Sequence, residues 1–220
     1  MAKRCLMIGE YNTAAEQWTL TGLTLSAAPQ QTNLVDVPGR RKGPLDLSTA
    51  LTDGEPIYGN RTLTATFESS EGTRSDREGR ISAMINRLDG WRLNIVLPDD
   101  PHRYITGRVS VSKIYNDLAH ASVSVSATCE PWRYNATETT VVLTATTTAQ
   151  SSALQNHGRL SVVPLLEVRG GEVVLGYGSS SWALSAGTYA LPDLLLQTGE
   201  SVITYRGTGT LILTYREAVL

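Results

Sequence analysis

The stretch Tyr104–Glu130, which reads YITGRVSVSKIYNDLAHASVSVSATCE, decides the fold of this chain. Small or apolar residues alternate with polar ones along both of its halves: Ile105, Gly107, Val109 and Val111, then Ala119, Ala121, Val123, Val125, Ala127 and Cys129. A period of two is typical of strands with one buried face. Tyr115–Leu118 lies between the halves, and its Asn and Asp tolerate the left-handed backbone of a reversal. The sequence therefore predicts a β-hairpin.

The polar face of this hairpin carries hydroxyl groups rather than the Lys and Glu that usually keep a free sheet face soluble. Only Arg108 and His120 interrupt the hydroxyl residues, which are Thr106, Ser110, Ser112, Ser122, Ser124, Ser126 and Thr128. Two interpretations remain open: a solvated face in a chain rich in Ser and Thr, or a contact with another protein. In the second case, the candidate assembly contacts are Ser122, Ser124 and Ser126.

Composition and charge exclude several classes of function. With 220 residues and 41% hydrophobic content, the chain can form one large core or two small ones. A net charge of −2 and a pI near 5.9 argue against high-affinity nucleic-acid binding. This charge is compatible with passive contact with DNA. No apolar run approaches the roughly 20 residues of a membrane span, and the N-terminal stretch is too short for a signal peptide. We expect a soluble, unprocessed, reduced protein whose two cysteines, Cys5 and Cys129, are free.

One amphipathic helix is predicted at about 75–89, between strand patterns. Ser75 and Glu78 have the spacing of a capping box, and Gly90 fits the position after the helix end. An apolar stripe with helical spacing consists of Ile81, Met84, Ile85 and Leu88. Strand patterns flank this helix, the strongest at residues 61–68 and 91–97. Residues 1–135 are thus expected to form an α+β domain with the helix on one side of its sheet.

Beyond Asn135 the composition shifts to Thr and Ser, and short strand patterns separated by Gly turns follow. Gly170-Gly171 lies between two of them and indicates a tight hairpin. Gly207-Thr208-Gly209 precedes a strand pattern rather than a helix, so it indicates a second hairpin turn and not a phosphate-binding loop. The sequence predicts a small β-sandwich at 136–220, and the chain as a whole is predicted to be mainly β.

No motif in the chain indicates catalysis, and we expect neither an enzyme nor a bound cofactor. The three histidines form no metal-ligand spacing, and Asp99, Asp100 and His102 fit a turn framed by two prolines better than a metal site. The Gly-x-Ser-x-Gly nucleophile elbow of esterases is absent from the sequence.

The order of motifs resembles the distal tail proteins of long, non-contractile-tailed bacteriophages and related phage-like particles. The resemblance spans nearly the whole chain, and its pieces are Val35-Asp36-Val37-Pro38-Gly39, Leu45-Asp46-Leu47, Tyr58-Gly59-Asn60-Arg61, Leu97-Pro98-Asp99-Asp100, Tyr104–Val109, Cys129-Glu130-Pro131, Asn156-His157-Gly158 and Gly199-Glu200-Ser201. The chain departs from the family at Arg40-Arg41-Lys42, where a Gly-acid-Gly turn is usual.

The resemblance implies a structural protein of the virion tail. N-terminal domains would form a homo-hexameric ring between the tail tube protein and the tail tip or hub protein, with a channel through which DNA passes. Galectin-like C-terminal domains would project outward and could contact other baseplate or receptor-binding proteins.

Two alternatives remain. The C-terminal sandwich could bind carbohydrate, with Trp182, Tyr177 or Tyr189 stacking on a sugar ring, although it lacks the His-x-Asn-x-Arg run of galectins. The protein could also form a different ring of the tail, such as a tube or tail-completion ring. The appended C-terminal domain argues against this, because a minimal tube subunit has no use for it.

The basic segment Arg40–Lys42 lies in a long loop rich in Gly and Pro, and such loops often carry binding residues. We expect its deletion to weaken assembly and to leave the monomer folded. Light scattering after size exclusion measures assembly, and circular dichroism checks the fold. Unchanged ring formation by the deletion variant would count against a role for these residues.

Overall fold

The computed structural model describes residues 5–39, 42–52 and 55–220. Within these ranges the chain is mainly β with a single α-helix, so the predicted fold class is confirmed. It divides into two compact units, Met1–Pro131 and Trp132–Leu220. This division falls a few residues before Asn135, and each unit has its own hydrophobic core.

The first unit contains a main sheet, a separate pair of short strands and one helix. Its strands are β1 (Met7–Ile8), β2 (Tyr11–Asn12), β3 (Thr19–Leu25), β4 (Leu34–Val35), β5 (Leu45–Asp46), β6 (Arg61–Ser69), β7 (Arg92–Leu97), β8 (Asp100–Asn116) and β9 (Ala121–Asn135), and the helix is α1 (Arg74–Leu88). The main sheet has the order β2-β1-β7-β8-β9-β6-β3, while β4 and β5 form a separate antiparallel pair. The hairpin predicted from Tyr104–Glu130 is therefore confirmed as β8 and β9, at the centre of the sheet.

The sheet has one apolar face, and the register of β6 against β9 makes it continuous. Leu63 lies opposite Ala127, and Phe67 lies opposite Val123. All four side chains are buried, together with the helix side chains Ile81, Met84 and Leu88. Side chains alternate between the two faces of a strand, so every second residue from Leu63 to Phe67 in β6 and from Ala121 to Cys129 in β9 enters this core.

The helix forms where its apolar stripe predicts it, but another residue caps it. Thr73 is the N-cap: its hydroxyl accepts a hydrogen bond from the Asp76 backbone N–H, and the Asp76 carboxylate accepts one from the Thr73 N–H. This pair holds the pKa of Asp76 below its usual value. The capping box predicted at Ser75 and Glu78 is wrong, since both residues lie inside the first turns. Gly90 follows the helix with φ +78°, as predicted for the residue after a helix end.

The turn between β8 and β9 comes later than predicted, because β8 continues through Asn116. The reversal is Asp117–His120, which places Ala119 in the turn rather than in a strand. The Asp117 carboxylate accepts hydrogen bonds from the backbone N–H groups of Ala119 and His120, and these bonds lower the pKa of Asp117.

A buried arginine fixes this turn to the helix. Arg77 is 1% exposed, and its guanidinium donates to the carbonyl oxygens of Gly72, Asp117 and Leu118 at 2.7, 2.9 and 3.0 Å. A buried guanidinium needs such partners, because an unpaired charge in the interior is very costly. Arg77 therefore joins the N-terminal end of α1 to the tip of the central hairpin.

The second unit is a sandwich of two four-stranded sheets. Its strands are β10 (Thr139–Thr144), β11 (Gln150–Asn156), β12 (Leu165–Arg169), β13 (Val173–Tyr177), β14 (Ser180–Leu184), β15 (Gly187–Ala190), β16 (Gly199–Gly207), β17 (Thr210–Tyr215) and β18 (Ala218–Val219). One sheet has the order β10-β17-β12-β15 and the other β11-β16-β13-β14. Strand β18 pairs with Arg133 and Tyr134 at the end of β9.

Both predicted Gly hairpins of this unit are wrong, because each glycine segment crosses from one sheet to the other. Gly170-Gly171 joins β12 to β13, and the segment 207–209 joins β16 to β17. The two crossings touch: a Cβ on Gly207 would lie 2.0 Å from the Glu172 carbonyl oxygen, and one on Gly171 would lie 2.6 Å from the Thr208 hydroxyl. Glycine is required here for close backbone approach rather than for a hairpin turn.

Other strand predictions also need correction. The polar stretch 146–157 contains β11, and β15 forms where no strand was predicted. The apolar run Leu194–Leu196, which predicts a further strand, forms only an isolated bridge between Leu196 and Val162. Trp91 lies outside β7 and is 63% exposed, although it fits the apolar period of that strand.

The two faces of β9 can be distinguished by adjacent substitutions. Val123 is fully buried, so we expect Val123→Asp to lower the free energy of unfolding by at least about 3 kcal/mol. The neighbouring Ser124 points to the opposite face, and Ser124→Asp should change stability by about 1 kcal/mol at most. Urea denaturation followed by circular dichroism measures both changes, and equal effects would show that the faces are wrongly assigned.

Candidate assembly surfaces

The polar side of the main sheet is a broad surface of hydroxyl groups. We define the hydroxyl face as Thr24, Thr62, Thr64, Thr66, Thr106, Ser110, Ser112, Ser124, Ser126 and Thr128. These residues alternate with core residues along β3, β6, β8 and β9. The register places Thr64 opposite Ser126 and Thr66 opposite Ser124. The threonines of β6 were not assigned to this face from the sequence, although their alternation is visible there. Only the pairing of β6 with β9 brings them beside the serines of β9.

Ser122 does not belong to this accessible surface. It is 2% exposed, whereas Ser124 and Ser126 are half-buried. The side chains of Glu68 and Ser122 both form hydrogen bonds with Tyr115, and Glu68 lies opposite Ser122 in the sheet. Ser122 is therefore enclosed within the first unit, which leaves Ser124 and Ser126 accessible. Their contact with another protein stays a prediction.

A second surface has the opposite chemistry. We define the arm as the described residues between β3 and β6, which leave one edge of the sheet and return to it through β4 and β5. Seven large hydrophobic side chains are exposed on it: Leu34, Val35, Val37, Leu45, Leu47, Leu51 and Ile57. Leu51 is 97% exposed. Clustered exposed apolar residues on one segment are typical of a protein contact.

Polar interactions within the arm hold it in shape although its apolar side chains face outward. The Asn33 N–H donates to the Ser48 hydroxyl at 2.7 Å, and the Leu47 N–H donates to the Asn33 carbonyl at 2.8 Å. The hydroxyl and N–H of Ser48 also bind Asp46 and lower the pKa of its carboxyl. The polar loop that the sequence predicts at 40–55 is part of this arm, and its described residues include the exposed apolar side chains Leu45, Leu47 and Leu51. Of the three basic candidates, Lys42 is exposed, and Arg40 and Arg41 lie outside the described residues.

The strand beside the arm is an open sheet edge. In the main sheet β3 pairs with β6 on one side and is the last strand on the other. Its sequence, TLTGLTL, contains none of the Lys or Pro residues that commonly block edge pairing. A β-bulge between Leu20 and Gly22 is its one irregularity. The arm and this edge together form a continuous region suited to contact with another chain.

A groove of about 400 Å³ lies at one end of the hydroxyl face, between the strands that carry Thr106 and Thr128. Its charged groups bind each other or the backbone. Arg92 pairs with Glu130, and Arg108 donates to the Gly90 carbonyl at 2.6 Å. Cys129 also lines the groove, and burial raises the pKa of its thiol to about 11. This arrangement holds its cations in structural contacts and provides no activated nucleophile.

Of the residues considered for a metal site, one forms a structural ion pair. Asp100 pairs with Arg103 at 3.5 Å. In the described part of the chain, no three His, Cys, Asp or Glu side chains come close enough to hold a metal ion. Within the same ranges the chain has no helix with the length and apolarity that crossing a bilayer requires.

The aromatic residues considered for sugar stacking lie against the core of the second unit. Trp182, Tyr177 and Tyr189 are all partly buried there. The Tyr177 hydroxyl donates to the Leu195 carbonyl at 2.8 Å, and that of Tyr189 donates to the Ser185 carbonyl at 3.0 Å. Their positions serve packing, so they do not favour the carbohydrate alternative.

No protein-family model matches this chain, and no curated protein sequence matches it. A solved structure does match: the crystal structure of the Dit (gp 19.1) protein of phage SPP1, with a TM-score of 0.68 and 16% sequence identity. The match covers 96% of this chain and 98% of the SPP1 protein. The chain has the Dit fold. SPP1 Dit is described as a paradigm of the hub adsorption apparatus in phages that infect Gram-positive bacteria. The resemblance to distal tail proteins that the sequence predicts is thus confirmed at the level of the Dit fold, across both units.

The two thiols should differ in reactivity. Cys129 is 1% exposed, and with a pKa of about 11 its thiol stays protonated at neutral pH; only thiolate reacts with Ellman's reagent. Cys5 is half-buried and donates to the Asn12 side-chain oxygen. We expect Cys5 alone to react in the folded protein and both thiols to react after denaturation. A Cys5→Ser variant is the control, and rapid labelling of its folded form would contradict the buried position of Cys129.

Proposed function

We propose that this chain is a distal tail protein of a long-tailed phage or a phage-like particle. It acts mechanically: six copies form a ring that joins the tail tube to the tail tip and leaves a channel for DNA. Its place is the virion tail, and its function involves no covalent chemistry and no cofactor.

The observation that carries this proposal is the match to SPP1 Dit over nearly the full length of both chains. Both units take part in that match, so it is not limited to a common sandwich. The name of the SPP1 protein places it in an adsorption hub, which is a structural assembly. The weak net charge of −2 suits a protein through whose channel DNA passes without strong binding.

The arm supplies the contact that a ring needs. Its exposed leucine and valine side chains lose their unfavourable hydration when another chain covers them, by about 25 cal/mol for each Å² of apolar surface buried. The arm leaves the β3 edge of the main sheet, while β2 forms the opposite edge. A contact between different surfaces of successive copies is head-to-tail, and such contacts form a ring when the rotation from copy to copy closes. The arm and β3 are therefore the proposed ring contact.

The second unit adds a separate module to each copy of the ring. We propose that it contacts further baseplate or receptor-binding proteins. Its outward-facing side chains Val142, Leu165 and Val202 are all more than half exposed, at 61%, 52% and 53%. These exposed aliphatic groups offer contact surface that the core of the sandwich does not use.

The proposal is tested by measuring the molar mass of the purified protein in solution and the effect on assembly of a charged substitution in the arm. We expect annular particles in negative-stain images and a hexamer by light scattering. Leu34→Asp should shift the population to monomers, because a carboxylate in an apolar contact is costly to bury. Circular dichroism of this variant should be unchanged, since Leu34 is 59% exposed.

Val142→Asp is the matched control, with similar exposure in the second unit, and it should still form rings. Equal loss of assembly in both variants would remove the specific role of the arm. A wild-type protein that stays monomeric at all concentrations, and is absent from any tail structure, would overturn the proposed function.

A further inference from the structure

The hydroxyl face has a surface chemistry that differs from that of the arm. Its centre, formed by Thr64, Thr66, Ser124 and Ser126, carries neither an aliphatic side chain larger than a methyl group nor a formal charge. Of the charged groups on this side of the sheet, Glu68 lies at one end and the Arg92–Glu130 pair at the other. Arg108 lies on β8 between Thr106 and Ser110, outside this centre, and donates to the Gly90 carbonyl oxygen. This combination is unusual for a sheet whose other face is fully covered.

Such a surface is poorly suited to burial between two proteins. The cores of protein interfaces are depleted in Ser and enriched in aromatic residues, Met and Arg. Burying a hydroxyl without a new hydrogen bond costs free energy, whereas water satisfies it at no cost. The arm already provides an apolar contact surface, so a ring does not need the hydroxyl face for assembly.

The surface of α1 has a third chemistry. Its exposed side chains carry both signs of charge, Arg74 and Arg87 with Asp76 and Glu78, and Arg87 pairs with Glu16 at 3.3 Å. Charged groups act on a passing duplex, because arginines pair with phosphates and release counterions while carboxylates repel the phosphates. A passing duplex would meet apolar groups on the arm and charged groups on α1, but neither at the centre of the hydroxyl face.

We infer that the hydroxyl face lines the DNA passage of the ring. This inference rests on the proposed function and assigns the face a role other than contact between copies. Serine and threonine hydroxyls hold a layer of exchanging water, so a polyanion in front of them meets neither ion pairs nor a hydrophobic surface. The face would let the duplex slide because it does not neutralise phosphates.

The test adds cations to the face and uses DNA topology to locate them. In the double variant Thr64→Lys and Ser126→Lys, each ring carries new positive charges on the face. If the face lines the passage, a preformed ring should bind linear duplex DNA and fail to bind closed circular DNA of the same length, because only linear DNA can be threaded. Binding should weaken with salt, with a slope of log K against log salt of about −0.9 for each phosphate contacted.

The control variant places the same charges elsewhere. Thr140→Lys with Thr144→Lys adds two cations to exposed positions of β10 in the second unit. Its rings should bind linear and circular DNA equally, and wild-type rings should bind neither. Equal binding of both DNA forms by the Thr64→Lys, Ser126→Lys ring would overturn the inference, as would no gain in binding to linear DNA.

A second measurement covers the case in which the lysine variant does not fold or assemble. Thr64→Cys and Ser126→Cys, each in a Cys5→Ser background, should assemble, and their thiols should react with a small maleimide as fast in rings as in monomers. Protection of these thiols in rings would show a contact between copies and overturn the inference while leaving the proposed ring intact. Absence of any ring from the wild-type protein would instead refute the proposed function, and the inference with it.

Discussion

The need to cover one side of the main sheet constrains the whole first unit. Every second residue from Leu63 to Phe67 in β6 and from Ala121 to Cys129 in β9 is apolar and buried, and α1 supplies the opposing layer. Burial of each such Val, Leu, Ile or Phe side chain contributes about 1.5–3 kcal/mol, so the sheet and α1 stabilise each other. Arg77 sets their relative position, because its guanidinium satisfies three backbone carbonyls of the helix approach and the hairpin tip at once.

This constraint also determines what the other side of the sheet can be. A strand with a period of two has one apolar face, and its second face must stay wet unless another layer covers it. Among the described residues, short hydroxyl side chains occupy that face, and those at its centre, Thr64, Thr66, Ser124 and Ser126, are exposed or half-buried. The apolar residues that would suit a protein contact are displaced to the arm, which is ordered by its own hydrogen bonds. Contact chemistry and solvent-facing chemistry are thus separated within one unit.

In the second unit the apolar face of each sheet is covered by another sheet rather than by a helix. Two four-stranded sheets bury their apolar faces against each other. The chain therefore crosses from one sheet to the other between β12 and β13 and again between β16 and β17. The crossings at 170–171 and at 207–209 meet, and at Gly171 and Gly207 the neighbouring segment lies too close for a side chain. Glycine at these positions serves packing between segments far apart in sequence.

By itself, the sequence determined the central hairpin, the single helix and its end at Gly90, and the mainly β class, because these follow from local periodicity and backbone preference. It also indicated a Dit-like order of motifs. The tertiary structure decided which residues share a surface: the register of β6 that completes the hydroxyl face, the burial of Ser122 beneath Tyr115, and the choice of Thr73 over Ser75 as the helix cap. It also decided that the glycine segments cross between sheets. The alternation of apolar and polar residues shows which side chains point away from the core. Which residues those side chains lie beside depends on contacts between distant segments, and local sequence patterns do not contain that information.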